Sequence, residues 1–153
     1  VPLVVPFAWI MMAHPVLTAA RRIAGNWVFL YGGVALAAWD LFLDPLMVAQ
    51  GNWTWVVTGA HVPFQPEIPL SNTFGWLLSG MFLIGVLHVI TPREKRKGGA
   101  TFVTTDTFLL WTLFSGFVGN LFFFSRPGVA FFAGGIFGIV LAPYFFNRWL
   151  GRP

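Results

Sequence analysis

The sequence contains no cysteine and very few charged residues. Without cysteine, the chain has no disulfide framework, no thiolate metal site and no cysteine nucleophile. Only 9% of its 153 residues are charged, whereas a soluble domain has about 25%. So few charges cannot cover a water-soluble surface, and a soluble globular fold is therefore excluded.

Long apolar segments make up most of the chain, which is 57% hydrophobic with a mean hydropathy of +0.75. A helix that crosses a bilayer needs roughly 20 mostly apolar residues. Five segments meet this requirement, near residues 2–20, 26–48, 72–91, 102–124 and 128–147. They predict an all-α, polytopic transmembrane helical bundle that forms a single domain over residues 1–153. Because the first residue is Val1, we expect N-terminal helices of the full-length protein to precede it.

The positive charges predict how the bundle is oriented. Eight of the nine Lys and Arg residues follow helix one, lie between helices three and four, or follow helix five, which places them on one side. Only Arg126 falls on the other side, with the 50–70 loop and its Glu67. Since Lys and Arg favour cytoplasmic loops, we expect a bacterial or archaeal cell-membrane protein with a cytoplasmic C-terminus. The basic run 93–97 indicates contact with membrane lipid head groups and not nucleic-acid binding.

Two aspartates lie inside the second apolar segment. Asp40 and Asp44 share a helix face if the helix is regular, but Pro45 disfavours helical geometry at Asp44 and could separate them. An ionised carboxylate in hydrocarbon costs about 3 kcal/mol or more, so such groups are protonated, paired or turned toward water. One reading is purely structural, with bonds to Asn72, Thr54 or Trp indoles. The other is a functional pair that keeps a protonated acid beside an ionised base.

The remaining polar groups have simpler explanations. His14, His61 and His88 lack metal-ligand spacing, so the sequence predicts no metal site. Asp106 lies near the start of the fourth helix, where a carboxylate stabilises the helix dipole, and we predict a capping role for it. Small residues four apart predict close helix packing; the pairs are Gly33 with Ala37, Gly75 with Ser79, Ser115 with Gly119, and Gly134 with Gly138.

The segment between the second and third helices carries a distinctive motif. It reads Trp39-Asp40-Leu41-Phe42-Leu43-Asp44-Pro45-Leu46-Met47-Val48, then Gly51, Trp53, Trp55 and Gly59, then Ile68-Pro69-Leu70-Ser71-Asn72 and Gly75-Trp76. This motif resembles the integral-membrane carotenoid biosynthesis family, which includes the carotenoid 1,2-hydratases, also described as bisanhydrobacterioruberin or γ-carotene hydratases. The resemblance covers at least half of the chain, and Val1-Pro2-Leu3 and Ala8-Trp9 are also similar. Family members are usually longer and begin with additional helices.

The resemblance implies hydration of the terminal C1,C2 double bond of an acyclic carotenoid ψ end to a tertiary alcohol. Such a reaction needs a proton donor at C2, stabilisation of a cation at C1 and a positioned water, and no cofactor. The implied catalytic residues are Asp40, Asp44 and Asn72, with one aspartate as the acid and the other orienting water. The implied substrate-binding residues are four tryptophans, whose rings can stabilise cationic charge: Trp39, Trp53, Trp55 and Trp76.

The substrate implied by this family is a polyene that is soluble only in lipid, so we expect a site that opens sideways into the bilayer. The phenylalanines of helices four and five are candidates to line it, although lipid contact is their simpler role: Phe122, Phe123, Phe124, Phe131 and Phe132. A second reading is a non-catalytic carotenoid-binding or structural subunit of a larger pigment or respiratory complex, assembled through Gly134 and Gly138. Proton or ion transport ranks last, because the other helices carry no continuous relay.

Overall fold

The computed structural model describes residues 3–92 and 100–151. Within these ranges the chain forms five helices, and the predicted helical bundle is confirmed: α1 (Val4–Ile23), α2 (Val28–Ala49), α3 (Leu70–Ile90), α4 (Ala100–Val118) and α5 (Pro127–Trp149). A 3₁₀ turn, Gly25–Trp27, precedes α2, and a π-helical turn, Gly119–Phe123, extends α4. The π-helical turn was not predicted, since the wider spacing of its hydrogen bonds has no sequence signal here.

Four of the described helical segments are long and apolar enough to cross a membrane. They are Gly25–Ala49, Leu70–Ile90, Phe102–Phe123 and Pro127–Trp149. The sequence predicted five membrane-crossing helices. Five helices are present, but α1 is not among the four that meet the length and hydropathy of a membrane span. One face of α1 is nevertheless buried in the bundle, through residues such as Met12, Ala13 and Val16. Large apolar side chains cover the outside of all five helices, as expected for a lipid-facing surface.

The α2 helix lies at the centre of the bundle and packs against α1, α3 and α5. Its contact with α3 is close because both helices carry glycine there. A Cβ atom at Gly33 would lie 2.8 Å from the backbone nitrogen of Met81, and one at Gly80 would lie 3.2 Å from the Cα of Gly33. The prediction of close packing at Gly33 is therefore confirmed.

The other predicted small-residue contacts are only partly present. A Cβ atom at Gly134 would lie 2.9 Å from the Phe117 ring, so this glycine does admit a neighbour. Gly75 and Gly138 face open space, with nothing within 4 Å of such an atom. Gly119 meets only Phe124 of its own segment, at 3.3 Å. Close packing at these last three positions was predicted wrongly, because four-residue spacing does not show which face of a helix meets a neighbour.

A β-hairpin interrupts the helices between α2 and α3. Its strands, β1 (His61–Val62) and β2 (Gln65–Pro69), are antiparallel and pair Val62 with Gln65. The hairpin rests on the α4–α5 turn, since Glu67 forms an ion pair with Arg126 and the Phe64 ring covers Gly128. We call this side of the bundle the hairpin end. The sequence predicted a loop here and missed the hairpin.

The opposite side of the bundle holds the C-terminal ends of α1 and α5, which carry Arg21, Arg22 and Arg148, and we call it the basic end. Arg21 at the end of α1 donates hydrogen bonds to the carbonyl oxygens of His88 and Thr91, both at 2.9 Å. A cation at the C-terminus of α3 stabilises the helix dipole. Arg22 donates to Asn147 Oδ1 of α5 at 2.7 Å. Residues 93–97, with their four basic side chains, and Arg152 lie outside the described residues.

Asp106 has a different role from the predicted cap. It lies beyond the first turn of α4 and faces α5. Its carboxylate accepts a hydrogen bond from the Tyr144 hydroxyl at 2.6 Å and lies 3.3 Å from Arg148 Nε. The capping prediction was wrong, and Asp106 joins α4 to α5 through a buried polar contact.

Candidate active site

Asp44 is the centre of the polar cluster at the hairpin end. Its Oδ1 atom accepts hydrogen bonds from the indole Nε1 of Trp53 at 2.8 Å and of Trp55 at 3.0 Å. Its Oδ2 atom accepts a hydrogen bond from Asn72 Nδ2. The side chain is only 1% exposed. Three donors on a buried carboxyl group match the acceptor pattern of an ionised carboxylate.

The local sequence explains why these donors converge. The chain leaves α2 after Ala49 and reverses at Gly51, whose φ of +71° is readily available to glycine. Trp53 and Trp55 follow two residues apart in irregular backbone, and both indoles point back to the same carboxylate oxygen. Asn72 comes from the first turn of α3. The predicted residues Asp44, Asn72, Trp53 and Trp55 are thus brought together.

Asp40 lies one helical turn before Asp44 and is also buried, with 4% of its surface exposed. Because α2 continues from Val28 to Ala49, Pro45 does not separate the two aspartates, and they keep one helix face. Asp44 has three donors, whereas no hydrogen bond to Asp40 is found within residues 3–92 and 100–151. The two carboxyl groups therefore have different environments.

Three tryptophans from three helices pack against one another. Trp9 of α1 stacks on Trp76 of α3, with ring centroids 4.4 Å apart and planes inclined by 21°. Trp9 also meets the ring of Trp39 of α2 edge-on at 5.8 Å. Trp39 and Trp76 were predicted as site residues, but Trp9 was not. The sequence pointed to Trp9 only through its similarity to a family position. It could not show that α1 packs against Trp39 and Trp76.

The Nε1 atoms of Trp9 and Trp76 are buried and have no hydrogen-bond partner in the described part of the chain. Buried indole N–H groups usually find an acceptor. These two donors therefore add unused hydrogen-bonding capacity to the aromatic cluster of Trp9, Trp39 and Trp76.

An open groove of about 540 Å³ lies against the donors of Asp44. Asn72 and Trp55, which bind Asp44, form part of its wall. Small side chains on one face of α3 widen it, and a Cβ atom at Gly75 would meet nothing within 4 Å. The complete lining is Trp55, Val56, Pro69, Ser71, Asn72, Gly75, Trp76 and Ser79.

Gln65 of the hairpin is a further polar residue at this place, and the sequence analysis missed it. Proline has no amide hydrogen, so Pro45 cannot donate the helical hydrogen bond to the carbonyl of Leu41. Gln65 Nε2 donates to that oxygen instead, at 2.9 Å. The Gln65 side chain is fully buried, at 0% exposure. Gln65 can be identified as a site residue only when it is known that the hairpin packs against α2.

Other candidate residues lie elsewhere. The three histidines are dispersed, and no group of three metal-ligating side chains occurs among the described residues. Phe122, Phe123 and Phe131 are between 64% and 77% exposed on the outside of the bundle. None of the five phenylalanines proposed from sequence lines the groove beside Asn72.

The sequence model of a family described as carotenoid biosynthesis protein matches residues 1–141. The chain belongs to this family. The match and the four apolar helices together identify a carotenoid biosynthesis protein of the integral-membrane type, as the motif around Asp40 and Asp44 suggested. No match was found among curated proteins or among solved structures.

Proposed function

We propose that this carotenoid biosynthesis protein hydrates the terminal C1,C2 double bond of an acyclic carotenoid ψ end. The observation that carries the proposal is the asymmetry of the aspartate pair. Asp44 is held by three donors, and Asp40 lies one turn away without a described hydrogen bond. Acid-assisted hydration needs one carboxylic acid and one carboxylate, and such a pair can supply both.

The first step is transfer of the Asp40 carboxyl proton to C2 of the double bond. The π electrons form the new C–H bond and leave a tertiary cation at C1. We assign the acid to Asp40 because a protonated carboxyl group needs no donors, while the donors on Asp44 favour the ionised form. Trp39 directly precedes Asp40, and Trp76 lines the groove beside Asn72; we assign the stabilisation of the cation to these two rings.

The second step is capture of the cation by water. Asp44 and Asn72 orient the water, whose oxygen forms the bond to C1 while its proton passes to the Asp44 carboxylate. Return of this proton to Asp40 restores the starting state. The sum is one water added across one double bond, so the reaction requires neither an oxidant nor a reductant. The groove beside Asn72, at the hairpin end, is the route we assign to the water.

Pigment analysis tests this proposal directly. In cells that make lycopene, an acyclic carotenoid with two ψ ends, expression of the protein is expected to give products heavier by the mass of one water per hydrated end. Chromatography with mass spectrometry measures them. Unchanged lycopene beside well-expressed protein would refute hydration of this substrate. If lycopene then co-purified unmodified, the second reading, a carotenoid-binding or structural subunit, would be favoured.

Orientation in the membrane has its own test, which the absence of cysteine from these 153 residues makes simple. We expect the basic end to face the cytoplasm, because Lys and Arg are retained there. A cysteine at the exposed Gly59 position, near the hairpin, should react with an impermeant maleimide in intact cells. A cysteine at the exposed Asn26 position, near the basic end, should react only after lysis. The reverse pattern would contradict the assignment.

A further inference from the structure

We infer that Gln65 is a positioning residue that sets the geometry of the aspartate pair by replacing a backbone hydrogen bond of α2. The inference rests on the proposed function for its catalytic consequence. Its structural part is the bond from Gln65 Nε2 to the Leu41 carbonyl at 2.9 Å. This bond joins the hairpin to the turn of α2 that lies between the two aspartates.

The position of this turn is what gives the bond its importance. An α-helix is held by bonds from each amide to the carbonyl four residues earlier. Pro45 leaves the Leu41 carbonyl without that donor, directly after Asp40 and within the turn that leads to Asp44. A helix usually kinks at such a proline. Here the side-chain amide of Gln65 donates a hydrogen bond to the carbonyl, and the helix continues to Ala49.

The hairpin is well placed to hold Gln65 against α2. Gln65 pairs with Val62 across the two strands, and both side chains are at most 1% exposed. Two residues further on, Glu67 is anchored by its ion pair with Arg126. The other amide atom, Gln65 Oε1, has no hydrogen-bond partner among the described residues. Among the described residues, the Gln65 side chain therefore forms a hydrogen bond only with the Leu41 carbonyl.

A double-mutant cycle tests the inference, because Pro45→Ala returns the missing amide to the helix. Gln65→Met keeps an unbranched side chain of similar length but has no donor. With Pro45 present, we expect Gln65→Met to lower kcat for lycopene hydration roughly 10- to 100-fold through misplacement of the aspartates, with little change in KM. In the Pro45→Ala background, the same change should cost less than about threefold, because the restored backbone amide bonds to the Leu41 carbonyl. Gln50→Met, at the exposed other glutamine of the chain, is the matched control.

Each outcome of the cycle decides the inference. Equal losses in the two backgrounds would overturn it, as would a normally accumulating but inactive Pro45→Ala protein. If Gln65→Met fails to accumulate and Pro45→Ala restores it, the bond to Leu41 is supported. If neither the single nor the double variant accumulates, Gln65 acts in another way and the inference is wrong.

Failure of the proposed function can be recognised separately. If the unaltered protein hydrates no lycopene, hydration of this substrate fails, yet the thermal midpoints of the same four proteins in detergent still report on the bond. A drop on Gln65→Met that shrinks in the Pro45→Ala background supports the bond to Leu41. An undiminished drop, or no drop in either background, opposes it.

Discussion

Replacing Asp44 with asparagine is expected to abolish hydration while leaving the protein folded in the membrane. The loss should be about 10²- to 10⁴-fold, because the variant removes the carboxylate that orients water and takes its proton. The fold should survive because asparagine Oδ1 can still accept from Trp53 and Trp55, and the Asn72 amide can rotate to present its oxygen to the new NH₂ group. Pigment analysis per amount of membrane protein measures the effect.

The matched control is the third aspartate of the chain. Asp106→Asn removes a charge from the contact with Tyr144 and Arg148 near the basic end, far along the chain from the groove. Hydration per amount of accumulated protein should stay within about twofold of the unaltered value, since no step of the reaction uses Asp106. Wild-type product levels in Asp44→Asn would refute the assignment, and equal losses in both variants would point to a general effect of lost charge.

Enlarging Gly33 is expected to have the greatest effect on the stability of the bundle. Even the single methyl group of alanine would lie 2.8 Å from the Met81 backbone nitrogen, and backbone cannot move aside as a flexible side chain can. We expect Gly33→Ala to lower the free energy of unfolding by about 1–3 kcal/mol and Gly33→Val to lower it further. Unfolding in detergent, followed by tryptophan fluorescence, measures the change.

Gly138→Ala is the control for this prediction, since nothing lies within 4 Å of the added atom. Within the monomer, Gly138→Ala should change the free energy of unfolding by no more than about 0.5 kcal/mol, or raise it slightly because alanine is the better helix former. A stable Gly33→Ala protein would mean that α2 and α3 are less tightly joined than the structure describes. A marked loss for Gly138→Ala would indicate a contact with another subunit on that face.

The helices could be predicted from sequence because their formation depends on local composition. A run of apolar residues of bilayer length is helical in a membrane whatever its neighbours, since each backbone group must be bonded within the segment. The helices therefore lie where the apolar runs of the sequence placed them. The hairpin could not be predicted in this way. Phe64 has a positive φ of 63° and packs at Gly128, more than sixty residues away in sequence.

In the candidate site, too, the residues with a local sequence signal could be predicted, and those defined by distant contacts could not. Asp40, Asp44 and Asn72 stand out because polar side chains are rare in apolar spans, and the structure places Asn72 on Asp44. Trp9 and Gln65 were missed because their importance comes from what they contact, Trp76 and the Leu41 carbonyl. A glutamine in a polar loop carries no signal of its own. Only the combination of Pro45 with a donor that reaches Leu41 gives it a role.

The depth of the aspartates constrains how a symmetric substrate is processed. Asp44 lies five residues before the end of α2, which corresponds to about 8 Å along the helix axis. Under the proposed function, a stiff polyene that spans the bilayer would present only one of its ends to the carboxylates, with the other end in the opposite leaflet. Under the proposed function the two ends are hydrated in separate encounters, with release and inversion of the mono-alcohol between them. If hydration is the reaction, the two identical ends of the polyene are therefore successive rather than simultaneous targets.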